Sequence, residues 1–258
     1  ILSDTIKSGF IPTSTLTIIQ RQALKSGIVA QSIHVCEGKS IVKNNFIGEE
    51  VRGELKDFKL VCSSESLLVH NKALEEFKHL YRDRRISPDD IQIVVPQRIN
   101  GMNSCRQLNS EIQEIVNGGY NSKQIQIEVR EKSQVFTVVY KPGDRIMVVR
   151  NNYHARTTLG KEVAIFNGNM GHIITVASDA MIIELEEQGQ VILPREEWNN
   201  IQHSWACTCH KLQGSQAKYV IVVLDKGSFK LLTRERLYTG LTRARKYCVL
   251  VGQPDAIN

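Results

Sequence analysis

The chain has 258 residues and a net charge of +6, with 41% apolar and 23% charged residues. Those proportions are ordinary for a soluble globular protein, and no apolar run approaches the roughly 18 residues of a membrane span, so no transmembrane helix is read. The positive charge admits a polyanionic partner such as nucleic acid without requiring one, and the placement of the basic residues has to decide.

Ile1-Leu2-Ser3-Asp4-Thr5 has neither an initiator Met nor a charged-then-apolar leader pattern and reads as an internal cut in a longer polypeptide. Residues 2–8 read as the end of a helix stopped by Gly9, and residues 12–19 as a β-branched strand running into Gln20-Arg21-Gln22, which places Arg21 just past a strand end. Residues 23–36 show a rough helical period closed by Glu37-Gly38, and the polar stretch 44–56, with two glycines, reads as a loop. A strand over 59–62, a helix over 65–82 capped by Ser64, and a strand over 91–96 follow. This βαβ order implies a parallel sheet covered by helices, with its chemistry in loops at the carboxyl ends of the strands. Pro96-Gln97-Arg98 is one such loop, and a helix over 103–116 then ends at Asn117-Gly118-Gly119.

From 125 to 194 the pattern changes to short strands, at 135–140, 145–149, 171–176, 181–185 and 191–193, separated by turn signals. Their spacing predicts a small antiparallel barrel. The α/β rhythm resumes at 205–208 and 219–224, so residues 1–139 and 201–258 are read as two parts of one α/β domain, interrupted by a β module over 140–200.

At about 100° per residue, Leu237, Gly240, Leu241 and Ala244 form the apolar stripe of a helix over 237–245, with Arg236, Thr239 and Arg243 on another face. Gly240 costs a helix about 1 kcal/mol relative to Ala, which predicts a close approach by another backbone. A guanidinium held on a packed helix suits charge stabilisation on a transferring phosphoryl group; a solvated arginine face is the alternative. Arg21 offers a second guanidinium, and the pair reads as a phosphate clamp. The chain has no G-x-x-x-x-G-K-[ST] loop and no strand ending in paired acids for magnesium, which excludes a complete nucleotidase.

His210-Lys211-Leu212-Gln213-Gly214-Ser215 lies between two apolar strands and offers a donor or acceptor at nearly every position, a pattern suited to gripping a phosphodiester backbone. For His210 alone the alternative is a hydrogen-bonded structural histidine. Asn151 and Asn152, after the strand starting at Arg145, are candidates for the same role. The six cysteines form no C-x-x-C pair and no zinc spacing, and most sit in apolar runs. They read as buried thiols of a reduced, cytoplasmic protein, with no metal site.

These segments, in this order, resemble the second motor domain of superfamily 1B helicases of the RecD/TraA type, nearly end to end. Leu16-Thr-Ile-Ile-Gln-Arg-Gln-Ala23 resembles motif IV, and Ile93-Val-Val-Pro96 with Gln97-Arg98 and Leu108-Asn109 is similar to the segment that follows it. Lys141-Pro-Gly-Asp-Arg-Ile-Met147, Arg150-Asn-Asn-Tyr153 and Phe166-Asn-Gly-Asn-Met-Gly171 resemble the inserted SH3-like module. Thr208-Cys-His-Lys-Leu-Gln-Gly-Ser215 resembles motif V and Tyr238-Thr-Gly-Leu-Thr-Arg-Ala244 motif VI. The resemblance implies a RecA-like parallel sheet with helices on both faces, P-loop NTPase-like but lacking the Walker A loop, carrying a small SH3-like barrel.

The same resemblance implies that Arg21 and Arg243 reach the γ-phosphate of ATP, held with Mg2+ mainly by an N-terminal motor domain of the same polypeptide. It places Gln216 and Gly214 on the nucleotide side, and Thr208, His210, Lys211 and Ser215, with Arg98, Asn151 and Asn152, on single-stranded DNA. Translocation would run 5′ to 3′, and these residues alone would hydrolyse no ATP. Gln216 stands where Glu is usual and Leu212 where Ser is usual, departures that imply weaker nucleotide affinity. The competing reading is a non-catalytic nucleic-acid-binding or protein-interaction module that keeps the helicase fold; an SH3-like RNA-binding protein would explain only residues near 140–200.

Overall fold

The computed structural model describes residues 2–13, 25–43, 45–119, 123–131, 134–212 and 214–258. In chain order the first half runs through α1 (Leu2–Ser8), α2 (Gly27–Cys36), β1 (Gly48–Arg52), β2 (Phe58–Cys62), α3 (Ser66–Lys78), β3 (Ile91–Val95) and α4 (Cys105–Asn117). A hairpin of β4 (Ile125–Glu131) and β5 (Gln134–Tyr140) leads to β6 (Arg145–Val148), β7 (Asn152–Thr157), β8 (Glu162–Ile165), β9 (Met170–Val176), β10 (Ala180–Leu185), β11 (Gly189–Pro194) and β12 (Ile201–His203). The chain closes with β13 (Ala206–Thr208), β14 (Ala217–Leu224), α5 (Arg234–Leu241), β15 (Ala244–Gly252) and α6 (Pro254–Ile257).

Six strands form one sheet in the order β1-β2-β15-β14-β3-β13, parallel throughout except for β1 against β2. Alternation along each strand splits the core between the two faces. Val220, Val222 and Leu224 of β14 pack with Ile28, Val35, Leu237 and Leu241, on the face covered by α2 and α5. Ile221 and Val223 pack with Val69, Phe77, Leu108 and Ile112, on the face covered by α3 and α4. Strands buried on both sides read as continuous apolar runs, which is why β3, β14 and β15 are plain in the sequence.

Seven strands form a second, wholly antiparallel sheet in the order β12-β6-β9-β10-β11-β7-β8, around a core of its own that includes Tyr140, Ile146, Ile183 and Trp198. It extends to His203, three residues past the expected edge of the β module. Two neighbouring side chains at its root fasten it to the parallel sheet. The fully buried Asp144 carboxylate accepts from Gln113 Nε2 at 2.6 Å and Asn117 Nδ2 at 2.8 Å, both on α4, and lies 3.1 Å from His203 Nε2. Arg145 donates to the Ile91 carbonyl at 3.0 Å and to Gln92 Oε1 at 3.2 Å, at the start of β3. A buried charge is tolerated when its lone pairs or protons are met in this way.

Four expectations need correction. Residues 48–52, expected in a loop, form edge strand β1: its exposed, acidic sequence carries no period, and pairing with β2, not its own pattern, makes it a strand. Ser64 does not cap α3; Glu65 occupies that position and makes no side-chain cap bond. The helix expected over 237–245 ends at Leu241, because pairing of Ala244 with Ala217, and a bond from Ala217 N–H to the Arg243 carbonyl, draw the chain into the sheet. The close neighbours of Gly240 are side chains rather than backbone: an added Cβ would meet Val222 at 3.3 Å and Val94 at 3.7 Å. The expected strand over 12–19 and Arg21 lie outside the described residues from 14 onward.

Candidate nucleic-acid interface

The loop from β13 to β14 begins with a turn that buries its outer two residues and presents the middle two. Thr208, half-buried, ends β13 against Val95. A tight turn over Cys209–Leu212 then buries Cys209 and Leu212 in the α5 face of the core, while His210 is exposed and Lys211 half-buried. Cys209 Sγ lies 3.5 Å from the Arg236 carbonyl, which fixes the turn to α5. Burying two of the four side chains leaves the other two facing outward.

Lys211 Nζ donates to Asn167 Oδ1 at 2.5 Å, across to the turn before β9 in the antiparallel sheet. Burial, reinforced by the positive charge of Arg98, pushes the Lys211 ammonium below the ordinary lysine range. Arg98 sits in the loop after β3, whose Gln97 and Arg98 carbonyls accept from the Cys105 and Arg106 amides of the first turn of α4 at 2.9 and 3.1 Å. Arg98 thus adds positive charge near Lys211, whose described hydrogen bond is to the neutral Asn167 amide.

Asn151 belongs to the same cluster by a different route. Its Oδ1 accepts from the Asn167 amide at 2.8 Å and its Nδ2 donates to the Tyr153 hydroxyl at 3.1 Å, so it joins Lys211 through Asn167. Asn152 is engaged elsewhere: its Nδ2 donates to both Glu197 carboxylate oxygens at 2.9 Å and its Oδ1 accepts from the His154 amide at 2.8 Å. Sequence reasoning missed Asn167, whose signal was the Phe166-Asn-Gly-Asn turn; the contact with Lys211 spans 44 residues and has no local pattern.

At the far end of the loop, Gly214 takes a left-handed φ of +86° in open space, so its glycine serves backbone conformation. Ser215 Oγ donates to the Leu212 carbonyl at 3.0 Å. Arg243, in the short turn between α5 and β15, donates from Nη1 to the Ser215 carbonyl at 3.0 Å and the Leu212 carbonyl at 3.4 Å, and from Nε to the Thr239 carbonyl at 3.0 Å. Gln216, beside Ser215, is exposed. The structure therefore brings Arg243, Gly214, Ser215 and Gln216 together, and Arg98, Lys211 and Asn151 together, at the two ends of one loop.

Burial pushes the Cys207 thiol up to about 11 and raises Cys105 and Cys209 as well, which rules these groups out as thiolates at neutral pH. Among the described residues no group of three or more His, Cys, Asp or Glu is placed to hold a metal ion, and no helix is long and apolar enough to cross a membrane.

Residues 203–251, which contain this loop and α5, match the UvrD-like helicase C-terminal domain family. The ATP-dependent RecD2 DNA helicase of Deinococcus radiodurans is 29% identical over 66% of this chain and 21% of its own length. The RecBCD enzyme subunit RecD of Buchnera aphidicola is 30% identical over 40% of this chain and 16% of its own length. The chain thus spans about a fifth of these curated relatives or less. A Pif1 helicase from Bacteroides, solved in complex with ADP-AlF3 and ssDNA, aligns with a TM-score of 0.46 at 14% identity, covering 74% of this chain and 50% of that one. Residues 203–251 thus match the UvrD-like helicase C-terminal domain, and the chain is similar in sequence to RecD-type DNA helicases.

Proposed function

We propose that the chain is the C-terminal motor half of an ATP-dependent, single-strand-translocating DNA helicase, moving 5′ to 3′. Residues 1–139 and 201–258 form its RecA-like motor domain and residues 140–200 its inserted SH3-like module. Arg98, Thr208, His210, Lys211 and Ser215 line the strand, with Asn151 reaching it through Asn167; Asn152 shapes the adjoining turn through Glu197. The observation that supports this reading is the bond from Lys211 Nζ to Asn167 Oδ1, which sets a cation of the β13–β14 loop against the antiparallel sheet, with the positive charge of Arg98 near it, a place suited to an oxyanion of the phosphodiester backbone.

Arg243 is the arginine of this part of the chain assigned to the nucleotide; Arg21, assigned the same role by the motif IV resemblance, lies outside the described residues. The donor set on this side fits a polyphosphate: a half-buried guanidinium bonded to the Ser215 carbonyl, flanked by the exposed Gly214 turn and the exposed Gln216 amide. ATP with Mg2+, held mainly by the N-terminal motor domain, supplies the phosphoryl group. To meet it, Arg243 gives up the Leu212 and Ser215 carbonyls, so nucleotide binding and the conformation of the strand-gripping loop are linked. Measuring ATP turnover tests the assignment: the complete protein hydrolyses ATP with DNA stimulation, these residues alone do not, and turnover by the chain alone would refute it.

One observation favours the competing reading of a non-catalytic module. Every bond that Arg243 makes here is to its own neighbourhood, as in a structural arginine. A complete protein that binds DNA but hydrolyses no ATP would establish that reading.

A further inference from the structure

The Lys211–Asn167–Asn151 ribbon ends on two aromatic rings to which none of the preceding reading gives a role. Tyr153 is 60% exposed and Phe166 44% exposed. They form an edge-to-face pair, with centroids 6.0 Å apart and planes at 79°. In that arrangement only one ring face of the four is covered by the partner ring. Two large apolar side chains left open to solvent on a polar turn contribute little to the core, so their exposure calls for an occupant.

Their mounting defines the occupant. The Asn151 side chain holds both rings in place, donating to the Tyr153 hydroxyl at 3.1 Å and accepting from the amide of Asn167, the residue after Phe166. Asn167 in turn holds Lys211. The rings are therefore fixed to the same hydrogen-bonded chain that carries Lys211. Flat π surfaces beside cations match a single strand, whose phosphates and bases alternate along its length; every base has a π face, so such a platform needs no sequence preference.

We infer that Tyr153 and Phe166 form a stacking platform for an unpaired base of the strand whose phosphate lies at Lys211 and Arg98. The inference rests on the strand-binding reading above and adds a site to it. An aromatic face under a base is worth about tenfold in affinity, a free-energy difference that does not depend on salt. A duplex, with its bases already stacked, gains nothing from it, so the platform favours single strands.

The test measures affinity of the chain for an oligo-dT strand containing 2-aminopurine and for an abasic strand of equal length. Tyr153→Leu/Phe166→Leu, which keeps apolar bulk without a π face, is expected to lose about tenfold on the base-bearing strand, to leave the abasic strand unchanged and to abolish 2-aminopurine quenching. Tyr153→Phe retains both quenching and affinity. Wild-type affinity in the double variant overturns the inference, as does an equal loss on both strands, which would make the rings a brace for the loop. If the wild-type chain binds neither strand, the strand-binding reading itself fails.

Discussion

Lys211 and Arg243 stand at opposite ends of one loop, and the protein satisfies them in opposite ways. Arg243 has three backbone carbonyls within its reach, at Thr239, Leu212 and Ser215. Lys211 has a neutral amide and the repulsion of Arg98. A guanidinium surrounded by carbonyls is at rest and must be drawn off to act elsewhere; a partly buried ammonium held by a neutral amide gains more from an anion. On the proposed reading, the end at Arg243 works only with a second motor domain, whereas the end at Lys211 needs only the strand.

The largest effect that would separate the two ends is on turnover. In the complete protein, Arg243→Ala is expected to lower the ATPase rate by about 10³ or more while single-strand affinity stays within a few-fold. Equal loss of both would show that Arg243 serves only to hold the loop. Next comes the joint between the sheets: Asp144→Ala takes the carboxylate from Gln113 and Asn117, leaving each amide its backbone carbonyl partner, Val139 or Pro142, and is expected to cost about 3 kcal/mol in denaturant unfolding. The Arg243 bonds, which lie wholly within the parallel-sheet half, are expected to be unaffected.

Lys211→Ala is expected to weaken single-strand binding about tenfold, with no change in ATP affinity of the complete protein, as read by equilibrium titration. The smallest effect is on pH. Lys211 must be protonated to bind a phosphate, and its depressed pKa means that binding falls, as pH rises, earlier than an ordinary lysine would allow. Arg98→Gln removes one of the two causes of the depression, so the fall moves to higher pH even as overall affinity drops a few-fold. A pH profile unmoved by Arg98→Gln would mean the two cations are not coupled.

The difference between the two ends also explains what the sequence made legible. The parallel strands β3, β14 and β15 were visible because burial on both faces leaves an unbroken apolar run. The polar edge strand β1 was not, since only its partner makes it a strand. Short β7 and β8 were missed for the same reason, with most of their side chains exposed or half-buried. At the site, Arg243, Lys211 and Asn151 stood out by residue type and neighbourhood. Their partners did not, because the contacts that define them join positions 28 to 54 residues apart or link separate sheets, as Arg243–Ser215, Lys211–Asn167 and Arg145–Ile91 do. Helical periodicity carried Arg243 into a helix that strand pairing at Ala244 cuts short.

The central claim, that Lys211 and Arg98 together hold a phosphate of a single strand, is tested most directly by the salt dependence of binding in Lys211→Ala/Arg98→Gln. Each lost phosphate contact removes about 0.7 from the slope of log affinity against log salt for a single strand, and the pair shares one phosphate, so the double variant is expected to be shallower than wild type by about 0.7. An affinity and a slope both equal to wild type would contradict the account.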